Sequence, residues 1–416
     1  MMQTTRMQPS SAPGKPASQP FEDHLREAFQ SVRAAFTGAL AAVGTDAHRP
    51  RPLARELGIS TSLAWRISKV VGARDPAEAV PHVPGTDALA AFIVALNKKG
   101  APKAVSHDLR AAMASYDGMI AAHTGDRRTL DQLTASMSEP RAAERLEAGR
   151  RQSFLGMGGT WGVQAGVQFS SAILKPSTER RTHLDVLNIK GLVDLKRLRG
   201  DARWTLFRRM QRRDDGQDLA PFHSEPLDLD VHPGELPLMR TFCSEQLPEL
   251  AELQSGAVSR YILPAGPVGN TNAMTCVFGE MNLAALPLPE SADDRILRIG
   301  TAMLTPVERL QLDIIVSREL DWAGDPEIAL YAQLDGGSRS LADDEDQRLP
   351  VFESVHELGR GLANMVSPDV PRYGEMLRQA FERAGWDGDD FVGYRFTMRY
   401  PPIPTVAVFM CEPREA

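Results

Sequence analysis

Lysine runs out early in this chain. Eight are present, the last is Lys196, and nothing beyond it carries one. That absence excludes Schiff-base chemistry and a phosphate-loop lysine from everything that follows. Cysteine is scarcer still. Cys243, Cys276 and Cys411 are far apart, odd in number and in no C-x-x-C pair. A disulfide framework or a zinc knuckle is not expected, and the usage fits a reducing cytosol. Each cysteine reads as a small core residue rather than a nucleophile. No apolar run approaches the roughly 20 residues of a membrane span, so no membrane partner is expected. The N-terminus through Ser18 is rich in Pro, Ser and Gln and has no apolar core. Residues 1–19 read as a disordered tail, not a signal peptide. There is no internal repeat.

What is present is ordinary globular material. The chain has 416 residues, 42% hydrophobic and 24% charged, enough for two or three domains. Its formal net charge is -7, which argues against a protein that coats nucleic acid. Any contact with DNA must come from a local basic patch.

The first helix is legible from Phe21, Leu25, Phe29, Val32, Phe36, Leu40 and Val43, which recur at steps of three and four. They draw one apolar stripe, with Pro20 suiting the start and Gly44 the stop. Two short helices follow. Residues 74–85 read as a loop, because Pro76, Pro81 and Pro84 forbid a regular helix. Thr86 caps a helix carrying Leu89, Phe92, Ile93 and Leu96, and another after Pro102 carries Val105, Leu109, Met113, Tyr116 and Ile120. With a helical stretch over 129–155 interrupted at Pro140, residues 86–155 read as a helical arm of the kind that dimerises.

Beyond residue 156 the expectation is an antiparallel α+β domain. Val258–Leu263, Met274–Met281, Ile296–Leu304, Arg309–Val316, Ile328–Leu334, Phe391–Tyr400 and Thr405–Met410 read as strands, and Tyr373–Ala384 as a helix ended by Gly385. The strands flanking Pro306 read as a hairpin. The basic, apolar stretch 183–213 reads as an amphipathic element and 214–252 as mostly irregular. The acidic run Asp343 to Asp346 reads as a solvated loop.

The most informative segment runs from Leu53 to Ile67. Ala54 is small where two helices would cross. Gly58 supplies the left-handed backbone of a tight turn. Ile59 plugs the apolar seam and Ser60 caps the second helix. Leu53, Leu57, Leu63, Ala64 and Ile67 point into a core at helical spacing. Between His48 and Arg74, six basic residues (Arg49, Arg51, Arg55, Arg66, Lys69 and Arg74) face one carboxylate, Glu56. An acidic chain thus carries a basic motif.

This segment resembles the helix-turn-helix of bacterial transcriptional regulators, over about 20 residues, or about 55 with the preceding helix. The resemblance implies a domain over residues 20–80 whose second helix enters the major groove of double-stranded DNA. Arg55, Ser60, Thr61, Ser62, Trp65, Arg66 and Lys69 are then the DNA-contacting candidates, with Arg66 reaching guanine edges. The bulky Trp65 departs from the commonest pattern and could meet sugars or base steps, or pack on the first helix.

Other signals are weaker. Gly156-Met157-Gly158-Gly159-Thr160-Trp161-Gly162 lacks both the preceding strand and the G-K-[ST] ending of a phosphate loop, so it reads as close helix packing or a hinge. His356-Glu357 lacks the H-E-x-x-H spacing of a zinc protease. His223 and His232 near Glu225, Asp228 and Asp230 make a thin case for a metal. No triad or G-x-S-x-G occurs, and no cofactor, metal or catalytic residue is assigned. The expectation is a homodimeric, cytosolic DNA-binding regulator whose α+β domain senses a small-molecule effector or binds a protein partner. Two alternatives stay open: a docking or assembly protein using the N-terminal helices, and an enzyme whose C-terminal domain has no recognisable motif.

Overall fold

The computed structural model describes residues 20–135, 139–210, 223–232, 235–255, 258–288, 296–320, 325–333 and 345–412. The expected tail (1–19), most of the basic-to-acidic transition after residue 210, and Asp343 and Asp344 of the acidic run lie outside them. The chain divides into two compact units, Met1–Arg145 and Leu146–Ala416. The boundary falls ten residues before the 155 expected from the sequence, within a helix.

Among the described residues the elements of the first unit are helices: α1 Phe21–Ala42, α2 Pro50–Leu57, α3 Thr61–Gly72, α4 Pro76–Ala79, α5 Thr86–Lys98, α6 Lys103–His123, α7 Arg127–Ala135, and the start of α8, Glu139–Trp161. The α1 stripe is as read: Leu25, Phe29, Val32, Phe36 and Leu40 are buried, and Gly44 follows the helix at φ 67°. Two local readings change. The proline-rich loop contains the one-turn helix α4, because Pro76 stands in its first turn, where no amide hydrogen is needed. Asp75 caps that turn, accepting from the Ala77 amide at 2.9 Å. Thr86 opens α5 instead of capping it, and Gly85 takes the cap position. The apolar faces of α5 and α6 (Leu89, Phe92, Leu96, Leu109, Met113, Tyr116) sit in one core with α1, α2 and α3. The stripes read as an arm are therefore spent on packing within the unit.

The second unit is α+β, as expected. Its strands are β1 Val163–Pro176, β2 His183–Arg197, β3 Trp204–Met210, β4 His223–Pro226, β5 Ala251–Ser255, β6 Val258–Leu263, β7 Met274–Pro287, β8 Leu297–Met303, β9 Val307–Ser317, β10 Glu327–Ala332, β11 Arg348–Leu349, β12 Val355–Arg360, β13 Phe391–Arg399 and β14 Thr405–Cys411, with helix α9 at Tyr373–Ala384. A seven-stranded sheet runs β12-β13-β9-β1-β2-β7-β4. Beside it lie a four-stranded sheet, β11-β10-β14-β8, and a three-stranded sheet, β3-β6-β5. Pairing is antiparallel except for β1 with β9, which run parallel.

One face of the large sheet packs on α9 through Phe169, Ile173, Leu187, Ile189 and Ile315. The other face is divided. Leu174, Leu184, Val186 and Leu312 meet the four-stranded sheet, and Leu192, Cys276 and Phe278 meet the three-stranded one. Gly191 is required in β2. A methyl group there would run into the Cys276 carbonyl and the Phe169 ring opposite.

The hairpin expected across Pro306 is not formed. β8 pairs with β14, whereas β9 lies between β1 and β13. Leu297 and Met303 of β8 pack on the same core as Leu310 and Leu312 of β9. The short link carries the chain from one layer to the other, so the two strands stack instead of pairing. Within the stretch read as amphipathic over 183–213, the described residues form two strands, β2 and β3.

Cys276 and Cys411 are core residues and Cys243 is half-buried. Burial pushes the Cys276 and Cys411 thiols up to about 12, and burial raises the Cys243 thiol too. Near pH 8 the thiolate fraction of Cys276 and Cys411 then falls on the order of 10³-fold below that of a free cysteine. Iodoacetamide followed by mass spectrometry should leave both unmodified in the native protein and label all three in urea. Rapid native labelling of Cys276 or Cys411 would contradict the packing.

Candidate nucleic-acid interface

The turn between α2 and α3 is built by local chemistry. Gly58 adopts φ 65°, ψ 34° and its amide bonds the Ala54 carbonyl, closing α2. The Ile59 amide also reaches that carbonyl, at 3.1 Å. Ser60 has extended backbone, and its Oγ accepts from the Leu63 amide at 3.2 Å, opening α3. Leu53, Ala54 and Leu57 from α2, and Leu63, Ala64, Ile67 and Val70 from α3, are buried in the helical core. Each position singled out in the motif thus has its expected structural task.

The outward face is separate and polar. Arg51, Arg55, Thr61, Ser62, Trp65 and Lys69 are exposed. Trp65 is 45% exposed. Its ring meets His82 edge-on at 4.9 Å, and Lys69 Nζ lies 5.7 Å over it. The N-terminal turns of α2 and α3 open into one shallow cleft lined by Arg49, Pro50, Arg51, Pro52, Thr61, Ser62 and Trp65. Arg49 keeps a loose ion pair with Asp46 at 3.7 Å. Two helix N-termini and two arginines make this cleft electropositive.

Two candidates have other tasks. The Ser60 hydroxyl is engaged in capping. Arg66 is half-buried and its Nη2 donates to the Val83 carbonyl at 2.9 Å, which turns it from the outward face toward the 74–85 segment. Arg127 donates to the same carbonyl at 3.3 Å. Arg33 holds the C-terminal end of α3, donating to the Ala73 carbonyl at 3.0 Å. Arg49 and Arg51 were not among the DNA-contacting candidates, although their charge was counted with the motif. Their signal was a position just ahead of and at the start of α2, beside prolines that set where that helix begins.

The second unit holds a buried polar cluster built around Asp313. Asp313 accepts from Arg395 Nε at 2.8 Å and Nη2 at 2.7 Å, and from the Tyr373 hydroxyl. Ser171 Oγ lies 2.7 Å from that hydroxyl, and Arg395 Nη1 donates to the Val366 carbonyl at 2.6 Å. Burial raises the Asp313 carboxyl, against the pull of Arg395. Burial, then Asp313, holds the Tyr373 hydroxyl well above its usual range, so it stays a donor. The cluster ties β1, β9, β13 and α9 together. Among the described residues no group of three or more His, Cys, Asp or Glu could hold a metal. Asp228 instead accepts from the Asp230 and Arg240 amides, and Glu225 pairs with Arg383. The His223 side chain lies outside the described residues. The 156–162 glycines close α8, where Gly162 sits at φ 78°. Among the described residues no single helix is long and apolar enough to cross a membrane.

No protein-family model matches the chain, and no curated protein matches it. Among solved structures, a candidate protease from Parabacteroides distasonis ATCC 8503 aligns at 8% identity with a TM-score of 0.25, over 60% of this chain and 40% of that one. A likeness of that size carries no argument about fold or function.

Proposed function

We propose that this chain is a DNA-binding transcriptional regulator of the cytosol, reading duplex DNA with α3 of its N-terminal unit. The observation that carries the reading is the shared cleft at the starts of α2 and α3. There Arg49, Arg51, Thr61, Ser62 and Trp65 converge on an electropositive surface of an otherwise acidic chain. Backbone amides at the start of α3, with Arg51, Arg55 and Lys69, suit phosphate oxygens. Thr61, Ser62 and Trp65 stand where base edges and sugars would lie. Arg66 acts as a brace behind the reading face. One such unit covers a single half-site, so tight specific binding calls for a homodimer.

The test is selection from a pool of duplex DNA, followed by affinity measurements on the selected site at several salt concentrations. A site should emerge, and affinity should fall steeply with salt. If no DNA binds at low salt, the reading fails and the face is a protein-docking surface.

A further inference from the structure

We propose that the first unit binds a divalent transition-metal ion, zinc or one of its neighbours, between α1 and α6 through His24 and His123. His24 stands near the start of α1 and His123 is the last residue of α6. They are 99 residues apart in the chain, yet His24 Nδ1 lies 3.0 Å from His123 Nε2. The two ring centres are 5.1 Å apart, with the planes crossed at 76°.

The pair is placed by the core beneath it. Leu25, next to His24, and Ile120, one turn before His123, are buried in the helical core. The histidines stand at its rim, half-buried. Phe21 packs on the same core and meets the His123 ring edge-on at 5.6 Å. The His123 ring is thus held between Phe21 and His24. Rings held in this way have given up rotamer freedom before a ligand arrives, so a chelate costs little further ordering.

The donor atoms select the ion. Without metal, one imidazole donates to the other. A link of that kind calls for no histidine, since an amide side chain on either helix would make it as well. Two imidazole nitrogens bound at about 2.0–2.1 Å to a tetrahedral zinc stand about 3.3 Å from each other. The observed separation is a few tenths of an ångström shorter than that bite, so the shared proton can give way to an ion by rotation of the rings. Neutral imidazoles suit zinc, copper and nickel, whereas magnesium and calcium take oxygen ligands. His123 also stands at a helix C-terminus, whose unpaired carbonyls favour a cation. Among the described residues no third His, Cys, Asp or Glu joins the pair. Residues 1–19, which lead into α1, contain none of those four residue types. Water then completes the coordination, and affinity falls well below that of a four-ligand structural site.

The test is calorimetric titration of the full chain, free of any polyhistidine tag, with zinc chloride and with magnesium chloride. Zinc should bind with a dissociation constant on the order of 10 µM or tighter, and magnesium should not bind. His24→Gln and His123→Gln keep an amide that can hydrogen-bond the remaining imidazole but cannot chelate. Each should weaken zinc at least about tenfold, with a thermal melt as the folding control. His107→Gln, at a position on α6 whose side chain is 83% exposed, should bind like the wild type. X-ray absorption at the zinc edge of the wild-type complex needs no variant and should count two imidazole ligands. The proposal is overturned if zinc does not bind at that level, if either His24→Gln or His123→Gln binds like the wild type, or if fewer than two imidazoles are counted. The site stands apart from the regulator reading. Zinc binding without any DNA affinity would leave the chelate in place and remove the regulator.

Discussion

Exchanging Arg51, Arg55 and Lys69 for glutamine in one variant is expected to weaken duplex DNA binding about 500-fold at roughly 0.1 M salt. Each phosphate contact contributes about 0.9 to the slope of log affinity against log salt, so three lost contacts flatten the slope by about 2.7. The three side chains are exposed, and changes at such sites usually alter stability by less than about 0.5 kcal/mol. Arg49 is left in place because part of its charge is spent on Asp46. Lys98, Lys99 and Lys103, also exposed in the same unit, make the control when changed together to glutamine. That variant removes equal charge away from α2 and α3 and should lose far less affinity. Equal losses in the two variants would mean that net charge, not the α2–α3 face, governs binding. Wild-type affinity and slope in the first variant would place DNA elsewhere or nowhere.

Asp313→Asn is expected to destabilise the second unit by about 3–5 kcal/mol. The Asp313 side chain is fully buried and that of Arg395 is 10% exposed. Removing one charge leaves the other in a poorly solvating interior, with Tyr373 also losing its acceptor. Arg395→Met should cost a similar amount for the converse reason. The double variant Asp313→Leu with Arg395→Met should cost less than either single change, because buried pairs contribute little net stability once both desolvation penalties vanish. Calorimetry of the transition belonging to the second unit is the measurement. Single-variant losses under about 1 kcal/mol would show that the cluster is solvated or dispensable.

The first unit was legible because each of its helices has one apolar face and clear end signals. Gly44 and Gly58 take positive φ at the helix ends where the sequence placed them, and Gly100 and Gly125 do the same after α5 and α6. The exposed half of the candidate face was legible for the same reason: Thr61, Ser62, Trp65 and Lys69 occupy the positions that the buried spacing leaves over. Arg66 was not legible. Whether an arginine at that spacing faces solvent or bends to a carbonyl depends on Val83, which is seventeen residues away and in a segment read as a plain loop.

The second unit was legible in pieces but not in assembly. Several strand segments and α9 stand where alternation and capping placed them. β1 and β2 escaped because layers cover both their faces, which replaces strict alternation with nearly continuous burial. The hairpin across Pro306 failed because sequence adjacency cannot distinguish pairing within a sheet from stacking between two. That Gln168, Ser170, Asn188 and Lys190 share one face of the large sheet could not be read in advance, because it holds only once β1 and β2 lie side by side.

The two arginine braces on α3 bear on how a regulator of this design would recognise its site. Arg66 fastens the middle of α3, and Arg33 its C-terminal end, to the surrounding unit before any DNA arrives. A reading helix fastened in this way has little freedom to roll or slide in the groove, so the entropic cost of ordering it is already met in the free protein. Adjustment between protein and site then falls to the duplex. Base steps that bend or change groove width easily would be preferred even where no side chain touches them, and sequence preference should extend into the flanks of the contacted bases.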